Sequence, residues 1–226
     1  MKIYAIFYTD AKYRPREEYL FSRLFKMGFD DVWCYEREWL ETTSFYSENK
    51  SILDAPRGGG YWLWKPYIIL DRMKFLRQGD VVFYMDAGDD VTDLTARLIR
   101  DHMVDHDYMI SGLSTRPINR KYIKKDCFVL MEADTEEYYN TPQNEAGAIA
   151  FKKTKFTEHL IREWLFYCQN ENILTDIPNV FGENDKEFIR HMEDQAVLSI
   201  LTTRHKMDYS EALYLSMDFN AYTPPQ

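Results

Sequence analysis

Arg57-Gly-Gly-Gly-Tyr-Trp-Leu-Trp-Lys-Pro-Tyr-Ile-Ile-Leu70 and Gly79-Asp-Val-Val-Phe-Tyr-Met-Asp-Ala-Gly-Asp-Asp90 are the two parts of the stretch that decides the fold. Residues 65–77, which connect them, predict a helix with Pro66 in its first turn, where a missing N–H does no harm. Val81–Met85 is a continuous β-prone run, which is typical of a strand covered on both faces. Three aspartates follow it within five residues, and open α/β sheets bind ligands outside the carboxyl ends of their strands. We therefore expect a ligand site there.

The chain on either side of this stretch alternates predicted strands and helices. Residues 2–8 and 31–35 predict strands around a helix at 14–27, and this β-α-β beginning favours an α/β architecture with a right-handed crossover. Residues 37–51 are predicted to be loop or short helix, and the tail from Ser210 to be loosely held. The other predicted elements are a helix at 93–102, a strand at 108–112, a helix at 126–131 with Asp126 as N-cap, a strand after the small residues that follow Gln143, and helices at 154–169 and 186–204.

Composition limits the class of protein and of partner. The 226 residues are 45% hydrophobic, which suffices for the core of one domain. A net charge of −9 opposes binding to duplex nucleic acid, because such binding depends on Lys and Arg neutralising phosphates. The spacing of Cys34, Cys127 and Cys168 suggests neither a disulfide framework nor a zinc site. No transmembrane segment or signal peptide is evident, so the expected location is cytoplasmic.

The charged residues of the opening stretch each have two interpretations. Asp86, Asp89 and Asp90 can hold a divalent cation, because hard cations such as Mg²⁺ and Mn²⁺ take carboxylate oxygens. Alternatively, Asp89 and Asp90 cap the next helix while Asp86 hydrogen-bonds the turn. Lys65 can pair with a phosphate as a point charge, or lie solvated at a helix start.

Aromatic, glycine and helical positions leave similar alternatives. Trp62 and Trp64 can stack on a sugar or a nucleobase, or pack in the core. Residues 58–60 complete no nucleotide-binding glycine motif and favour a flexible loop. His191 and Asp194 have the i, i+3 spacing of one helix face, so they can enter one site, where Asp194 would orient an acceptor hydroxyl or take its proton. A polar helix face is the competing interpretation.

Several short motifs follow one another between residues 57 and 200. They are Gly60-Tyr61-Trp62-Leu63-Trp64-Lys65-Pro66-Tyr67, Gly79-Asp80, Tyr84-Met85-Asp86-Ala87-Gly88, Lys124-Lys125-Asp126, Gln143 with Ala146-Gly147-Ala148, and Asp194-Gln195. The order of these motifs resembles the order found in small bacterial and viral glycosyltransferases of the GT-A type. This resemblance implies the cytoplasm of a bacterium or of an infected host cell as the location. The resemblance implies a GT-A-like single α/β domain over residues 1–226, with a Rossmann-like, mixed and mainly parallel sheet flanked by helices. A donor-binding half at about 1–112, an acceptor-side half at about 113–209 and a loose tail at 210–226 follow from it.

The resemblance also implies roles for individual residues. Its donor-binding residues are Lys65, Trp64, Tyr84, Asp86, Gly88, Lys124 and Lys125. Its residues for the acceptor or the transferred sugar are Gln143, Gly147 and Gln195. Asp194 and Asp86 are the catalytic candidates, and Asp86 and Asp89 the metal ligands.

A metal cofactor is the point at which this chain departs from the family. GT-A enzymes usually bind Mn²⁺ or Mg²⁺ through an Asp-x-Asp motif, whereas Asp86-Ala87-Gly88 has glycine at the second aspartate. Three alternatives remain: Asp89 or Asp90 substitutes, Asp86 alone contacts the metal or the ribose, or the metal is dispensable.

The predicted function is therefore the transfer of a sugar from a nucleoside-diphosphate sugar, UDP- or GDP-linked, to an acceptor hydroxyl of a glycan, polysaccharide or glycoconjugate. One alternative is a glycosyltransferase that modifies hydroxylated bases of phage DNA. The acidic balance of the chain opposes it, while a basic segment at 114–125 favours it. The other alternative is a noncatalytic nucleotide-sugar-binding protein with the same fold.

Overall fold

A central five-stranded sheet organises the protein, whose computed structural model describes residues 1–224. The strands are β1 (Ile3–Thr9), β2 (Asp31–Glu36), β3 (Val81–Met85), β4 (Asp90–Val91), β5 (Tyr108–Ser111), β6 (Glu145–Lys152) and β7 (Met217–Asp218). The order in the central sheet is β2-β1-β3-β6-β5, and β6 runs in the opposite direction to the other four strands. β4 and β7 form a separate antiparallel pair. The predicted mixed, mainly parallel sheet is thereby confirmed.

Helices and helical turns connect these strands. They are α1 (Glu17–Lys26), α2 (Arg37–Glu41), α3 (Ser44–Glu48), α4 (Lys50–Leu53), α5 (Gly58–Tyr61), α6 (Trp64–Phe75), α7 (Thr95–His102), α8 (Lys125–Leu130), α9 (Glu136–Tyr139), α10 (Lys155–Cys168), α11 (Glu171–Leu174), α12 (Glu193–Arg204) and α13 (Glu211–Leu215). Among residues 1–224, none of these helices has the length and apolarity needed to cross a bilayer.

The core lies on both faces of the sheet. Val82 and Tyr84 of β3 pack into one apolar cluster with α6, α10 and α12, whereas Val81, Phe83 and Met85 pack into another with α1 and α7. Side chains of a strand alternate between the two faces of the sheet, so a strand covered on both sides must be apolar throughout. The unbroken apolar run at 81–85 is therefore explained by its central position.

The helix predicted at 186–204 is too long. α12 begins at Glu193, whose φ is +45°, and residues 186–192 form a turn and an extended loop. His191 therefore lies outside the helix, and the predicted i, i+3 helical relation between His191 and Asp194 is wrong. The apolar periodicity of residues 197–201 cannot reveal where the helix starts, because the preceding loop is also partly buried.

The prediction that Asp126 is a helix N-cap is wrong. Asp126 is the second residue of α8, and the N-cap is Lys124. The carboxylate of Asp126 instead accepts hydrogen bonds from the backbone N–H groups of Val180 and Phe181, at 2.8–3.0 Å, and so anchors a loop that is distant in sequence.

The segment after Ser210, expected to be loosely held, packs against the rest of the chain as far as the described residues extend. α13 packs against β5, and β7 pairs with β4. The backbone N–H of Asn220 donates to Asp89 Oδ1 at 2.9 Å, and that of Tyr222 donates to the Gly88 carbonyl at 2.9 Å. Residues 225 and 226 of the predicted tail lie outside the described residues.

Candidate active site

A cleft of ≈ 350 Å³ opens where two adjacent parallel strands end. Tyr8 and Asp10 enter it from the end of β1, and Tyr84 and Asp86 from the end of β3. Its walls also include the glycine turn of α5, both tryptophans that flank Leu63, and the C-terminal segment at 220–224. The cleft therefore lies where the sequence predicts a ligand, at the carboxyl edge of the sheet.

Asp86 is held rigidly at the centre of this edge. Its backbone N–H donates to the carbonyl of Gly147 in β6 at 2.8 Å, and its Oδ1 accepts a hydrogen bond from the hydroxyl of Tyr84. The ammonium of Lys65 lies 3.4 Å from the same Oδ1. Asp86 is only partly buried and faces the cleft, so one side of its carboxylate is open to a ligand.

Lys65 joins two carboxylates that lie far apart in sequence. Its Nζ lies 2.9 Å from Asp194 Oδ2 as well as 3.4 Å from Asp86, and it donates to the Ala146 carbonyl at 3.2 Å. Burial by itself lowers the pKa of Lys65, but Asp194 and Asp86 outweigh it and raise the pKa above its ordinary value. The side chain is therefore a buried ammonium, and the alternative of a solvated surface lysine is excluded.

Asp194 lies in a deeper layer than Asp86. Burial raises the pKa of its carboxyl to about 7, against the opposing attraction of Lys65. Apart from that ion pair, Oδ2 has no hydrogen-bond partner among residues 1–224. The indole N–H of Trp164 fixes the start of α12 by donating to the Asp194 carbonyl at 2.9 Å. Asp194 thus combines a fixed backbone with a carboxylate that titrates near neutral pH.

Three carboxylates converge on Gly147. A Cβ atom added at this glycine would lie 3.1 Å from Asp89 Oδ2, 3.2 Å from Asp86 Oδ2 and 3.3 Å from Glu145 Oε1. Burial, followed by repulsion from Asp86, raises the pKa of Asp89 to about 8. A Cβ atom at Gly147 would therefore require these carboxylate oxygens to move by a few tenths of an ångström.

The fit of these acids to a divalent cation is incomplete. Their hard carboxylate oxygens are the ligands that Mg²⁺ and Mn²⁺ prefer. However, residues 1–224 contain no group of three or more His, Cys, Asp or Glu side chains assembled closely enough to hold a metal ion. Asp90 is engaged elsewhere, since it pairs with Arg23 at 3.2 Å and accepts from the hydroxyl of Tyr19. Asp89, which lines the cleft, is the better placed of the two substitutes for a second aspartate.

The glycine-rich turn before α6 has a defined structure. Gly60 has φ +104°, and a Cβ atom there would lie 2.6 Å from the Cα atom of Leu53. Trp62 adopts a left-handed conformation with φ +57°. Trp64 is 4% exposed and stacks on Tyr8, with ring centroids 3.9 Å apart. The flexible-loop interpretation is therefore wrong, and Trp64 is both a core residue and part of the cleft wall.

The predicted sugar-binding amides of Gln143 and Gln195 lie close to Gly147 and hydrogen-bond to each other. The Gln195 amide donates to Gln143 Oε1 at 2.9 Å, and Gln195 Oε1 accepts from the Ala146 N–H at 3.2 Å. Both side chains are buried, and Gln143 Nε2 has no hydrogen-bond partner among the described residues. Gln195 thus links α12 to β6 immediately next to Gly147.

The basic segment at 114–125 is largely neutralised by the protein itself. Arg116 pairs with Glu145, Arg120 with Glu136 and Asp185, Lys121 with Glu187, and Lys125 with Asp134. Lys124 is buried, and its Nζ donates to the carbonyls of Thr175 and Ile177. Neither Lys124 nor Lys125 lines the cleft at Asp86. The fold therefore places these two lysines away from the cleft at Asp86, where their predicted role in donor binding would put them.

A second cavity of ≈ 280 Å³ lies beside the cleft. Its lining includes Arg57, Lys124, Asp176, Ile177, Phe188, Arg190, His191 and Glu193. His191 is buried in its wall, where Nδ1 accepts from the Lys124 N–H at 3.3 Å and Nε2 therefore donates to the Ile173 carbonyl at 2.8 Å. Burial, with repulsion from Lys124, lowers the pKa of His191 to about 3. This histidine is consequently a neutral structural group at physiological pH.

Sequence reasoning missed several residues in the cleft or close to its acidic edge. Glu145 starts β6, and only the antiparallel direction of that strand brings its first residue to the end of β3. Asp10 and Tyr13 follow β1 and line the cleft, and Asp10 Oδ1 accepts from the N–H groups of Lys12 and Tyr13 at 2.9 and 3.2 Å. The available signal was the position of Asp10, immediately after a predicted strand.

No protein-family model and no curated protein matches the chain. Among solved structures, it is similar to mouse xyloside xylosyltransferase 1, with 9% identity and a TM-score of 0.48 over 93% of this chain and 84% of that one. It is also similar to a glycosyltransferase involved in the glycosylation of the major capsid of PBCV-1, with 12% identity and a TM-score of 0.44 over 84% and 82% of the two chains. The galactosyltransferase LgtC, in complex with donor and acceptor sugar analogs, has 14% identity and a TM-score of 0.43 over 98% and 84%. Because these values are low, the chemistry of the site rests on this chain's own residues.

Proposed function

We propose that the protein is a glycosyltransferase that moves a sugar from a nucleoside-diphosphate sugar to an acceptor hydroxyl. The observation that supports it most is the buried Lys65 ammonium between Asp86, which faces the cleft, and Asp194, which lies on the opposite side. In the reaction, the bond between the sugar C1 and the diphosphate oxygen breaks, the acceptor oxygen bonds to C1, and the acceptor hydroxyl loses its proton.

The donor base is the part of the substrate for which the cleft offers the clearest recognition. Asp10 presents a carboxylate at the cleft wall, and Tyr13 and Trp62 supply aromatic surfaces beside it. A carboxylate accepts hydrogen bonds from the ring N–H groups of uracil and guanine. The corresponding ring nitrogen of cytosine carries no hydrogen. This supports a UDP- or GDP-linked sugar, with the base between the aromatic rings and its N–H directed to Asp10.

The chemical step needs positive charge on the donor side and a proton acceptor on the other. Negative charge develops on the leaving diphosphate, and preorganised cations stabilise it. Lys65 supplies a fixed ammonium next to Asp86, and Asp194 is the candidate base or positioning group, with a pKa raised to about 7 by burial. A divalent cation held by Asp86 and Asp89 would add charge for the leaving group when bound. Glu145, the third carboxylate around Gly147, is a further candidate ligand for that cation.

The alternative of a transferase acting on bases in phage DNA loses its main support. It rested on the basic segment at 114–125, in which four of the basic side chains pair with acidic residues. A face neutralised in this way releases few counterions from a duplex, which is the main driving force for binding it. A noncatalytic sugar-nucleotide-binding protein remains the competitor, and only turnover separates it from an enzyme.

The test is a panel of nucleotide sugars incubated with the protein and Mn²⁺, Mg²⁺ or EDTA, with released nucleoside diphosphate as the readout. We expect release from one UDP- or GDP-sugar, and a decrease of at least about 100-fold in Asp86→Asn. Asp105→Asn is the matched control, because Asp105 is exposed and does not line the cleft. Binding without release across the panel would favour the noncatalytic alternative, and unchanged turnover in Asp86→Asn would remove the role given to that carboxylate.

A further inference from the structure

Lys124 is a buried cation with an unusual set of partners. Its Nζ donates to the carbonyl oxygens of Thr175 at 3.3 Å and Ile177 at 2.7 Å, and no carboxylate of residues 1–224 lies within 4.0 Å of it. Lys65, which is equally buried, instead pairs with two aspartates. Burial lowers the pKa of Lys124. Asp126 and Asp176 oppose this lowering from beyond salt-bridge distance. Because no carboxylate contacts the ammonium directly, it retains attraction for an anion.

Lys124 lines the cavity of ≈ 280 Å³ that lies beside the cleft, and Ile177, whose carbonyl accepts from the Lys124 ammonium, lines the same cavity. Arg190 is exposed and lines the same cavity, so a second cation faces it. Of the other charged groups in the lining, Arg57 and Glu193 neutralise each other at 2.7 Å. The remaining one, Asp176, accepts a hydrogen bond from the hydroxyl of Tyr61. Two cations therefore face one carboxylate, and the cavity has a net positive charge.

The cavity adjoins the reaction centre through neighbouring residues of the chain. Arg57 of its lining precedes Gly58, which lines the cleft, and Glu193 precedes Asp194, which pairs with Lys65. The two residues of the Arg57–Glu193 ion pair thus line this cavity, and each is followed in sequence by a residue of the candidate site.

We propose that this cavity binds an acidic group, a carboxylate or a phosphate, carried by the acceptor sugar. The inference rests on the proposed function, because it names the class of acceptor for the same site. Lys124 at the wall and Arg190 donate charge-assisted hydrogen bonds to the oxyanion. The ring of Phe188, together with Ile177, gives the cavity an apolar wall for the C–H face of the sugar.

The test measures binding of glucuronate, glucose 6-phosphate and glucose by ligand-observed NMR, without donor and without turnover. We expect one of the two acids to bind at least about tenfold more tightly than glucose, as two charge-assisted hydrogen bonds imply. The acid that shows the preference identifies carboxylate or phosphate. Arg190→Gln and Lys124→Met should each reduce that preference about fivefold or more, whereas Arg97→Gln, which changes an exposed arginine of α7, serves as the control.

Two results would overturn the proposal: equal affinity of the wild-type protein for glucose and both acids, or a preference that survives unchanged in Arg190→Gln. The exposed Arg190 decides the question even where Lys124→Met fails to fold. The proposed transferase activity is judged separately by nucleoside-diphosphate release. An enzyme that releases diphosphate but binds both acids no better than glucose would therefore refute the acceptor class alone.

Discussion

Lowering the pH from 8 to 5 should destabilise the protein through His191. The folded state holds this histidine neutral, because burial lowers its pKa to about 3 from an ordinary value of 6.5. Lys124 and Arg57 contribute to this lowering, whereas the hydrogen bond to the Ile173 carbonyl and the charge of Asp176 oppose it. Between the two pKa values the unfolded chain binds a proton that the folded protein does not. The stabilisation is therefore fully present above pH 6.5 and is lost as the pH falls towards 3.

The magnitude follows from the difference between the two pKa values. A pH of 5 is about 1.5 units below the ordinary pKa of histidine, so the histidine is protonated in the unfolded chain while it remains neutral in the folded protein. This difference corresponds to about 2 kcal/mol of stability lost. Urea unfolding at pH 8 and pH 5 measures it. Carboxylates elsewhere also titrate in this range, so the informative quantity is the difference between the wild-type protein and His191→Gln, whose side chain does not titrate.

We expect His191→Gln to be less stable than the wild-type protein at pH 8, because it loses part of the hydrogen bonding to Lys124 and Ile173. Its additional loss of stability between pH 8 and pH 5 should be about 2 kcal/mol smaller than that of the wild-type protein. His159→Gln, a change at an exposed histidine of α10, is the control and should keep the wild-type loss. Equal losses in His191→Gln and the wild-type protein would refute the assignment of a neutral, buried His191.

Three further changes test the turn, the buried ammonium and the cleft wall. Gly60→Ala should lower the free energy of unfolding by about 2 kcal/mol or more, because its Cβ would lie 2.6 Å from Leu53 Cα at φ +104°. Gly79→Ala, which meets open space at φ +85°, should cost about 1 kcal/mol, and equal costs in urea unfolding would contradict the clash. Lys65→Met should cost about 3–5 kcal/mol at pH 7, because it leaves two carboxylates without their cation, and a smaller loss than in an exposed lysine variant would contradict the ion-pair geometry. Asp10→Asn should weaken binding of the accepted nucleoside diphosphate about tenfold in calorimetry, and unchanged affinity would remove Asp10 from base recognition.

The elements that could be predicted from the sequence are those whose local pattern and tertiary position agree. Val81–Met85 is apolar throughout because both of its faces are covered, so the run alone predicts a central strand and a ligand site after it. Thr154 caps α10 with a reciprocal hydrogen bond to Thr157, so the start of that helix is encoded locally. The position of Asp86 at the cleft could be predicted for the same reason, since it directly follows the strand.

The rest depends on contacts that no local pattern encodes. The direction of β6 decides that Glu145 lies beside Gly147 together with Asp86 and Asp89, and direction is a property of the whole sheet. The helix start at Glu193 and the partners of Lys124 depend on the loop at 175–192, whose sequence has no regular period. A basic segment identifies its residues but not their carboxylate partners, which lie up to 66 residues away, as in the pair between Lys121 and Glu187.

The hydrogen bond from the Asn220 N–H to Asp89 turns one backbone amide into a sensor of the site. The chemical shift of an amide proton changes with the charge of the group that accepts it. Any cation or diphosphate that alters the Asp89 carboxylate should therefore move the Asn220 resonance, with no substitution among the residues that line the cleft. Occupancy of the cleft is thus readable from a single peak contributed by a part of the chain that is 131 residues away in sequence.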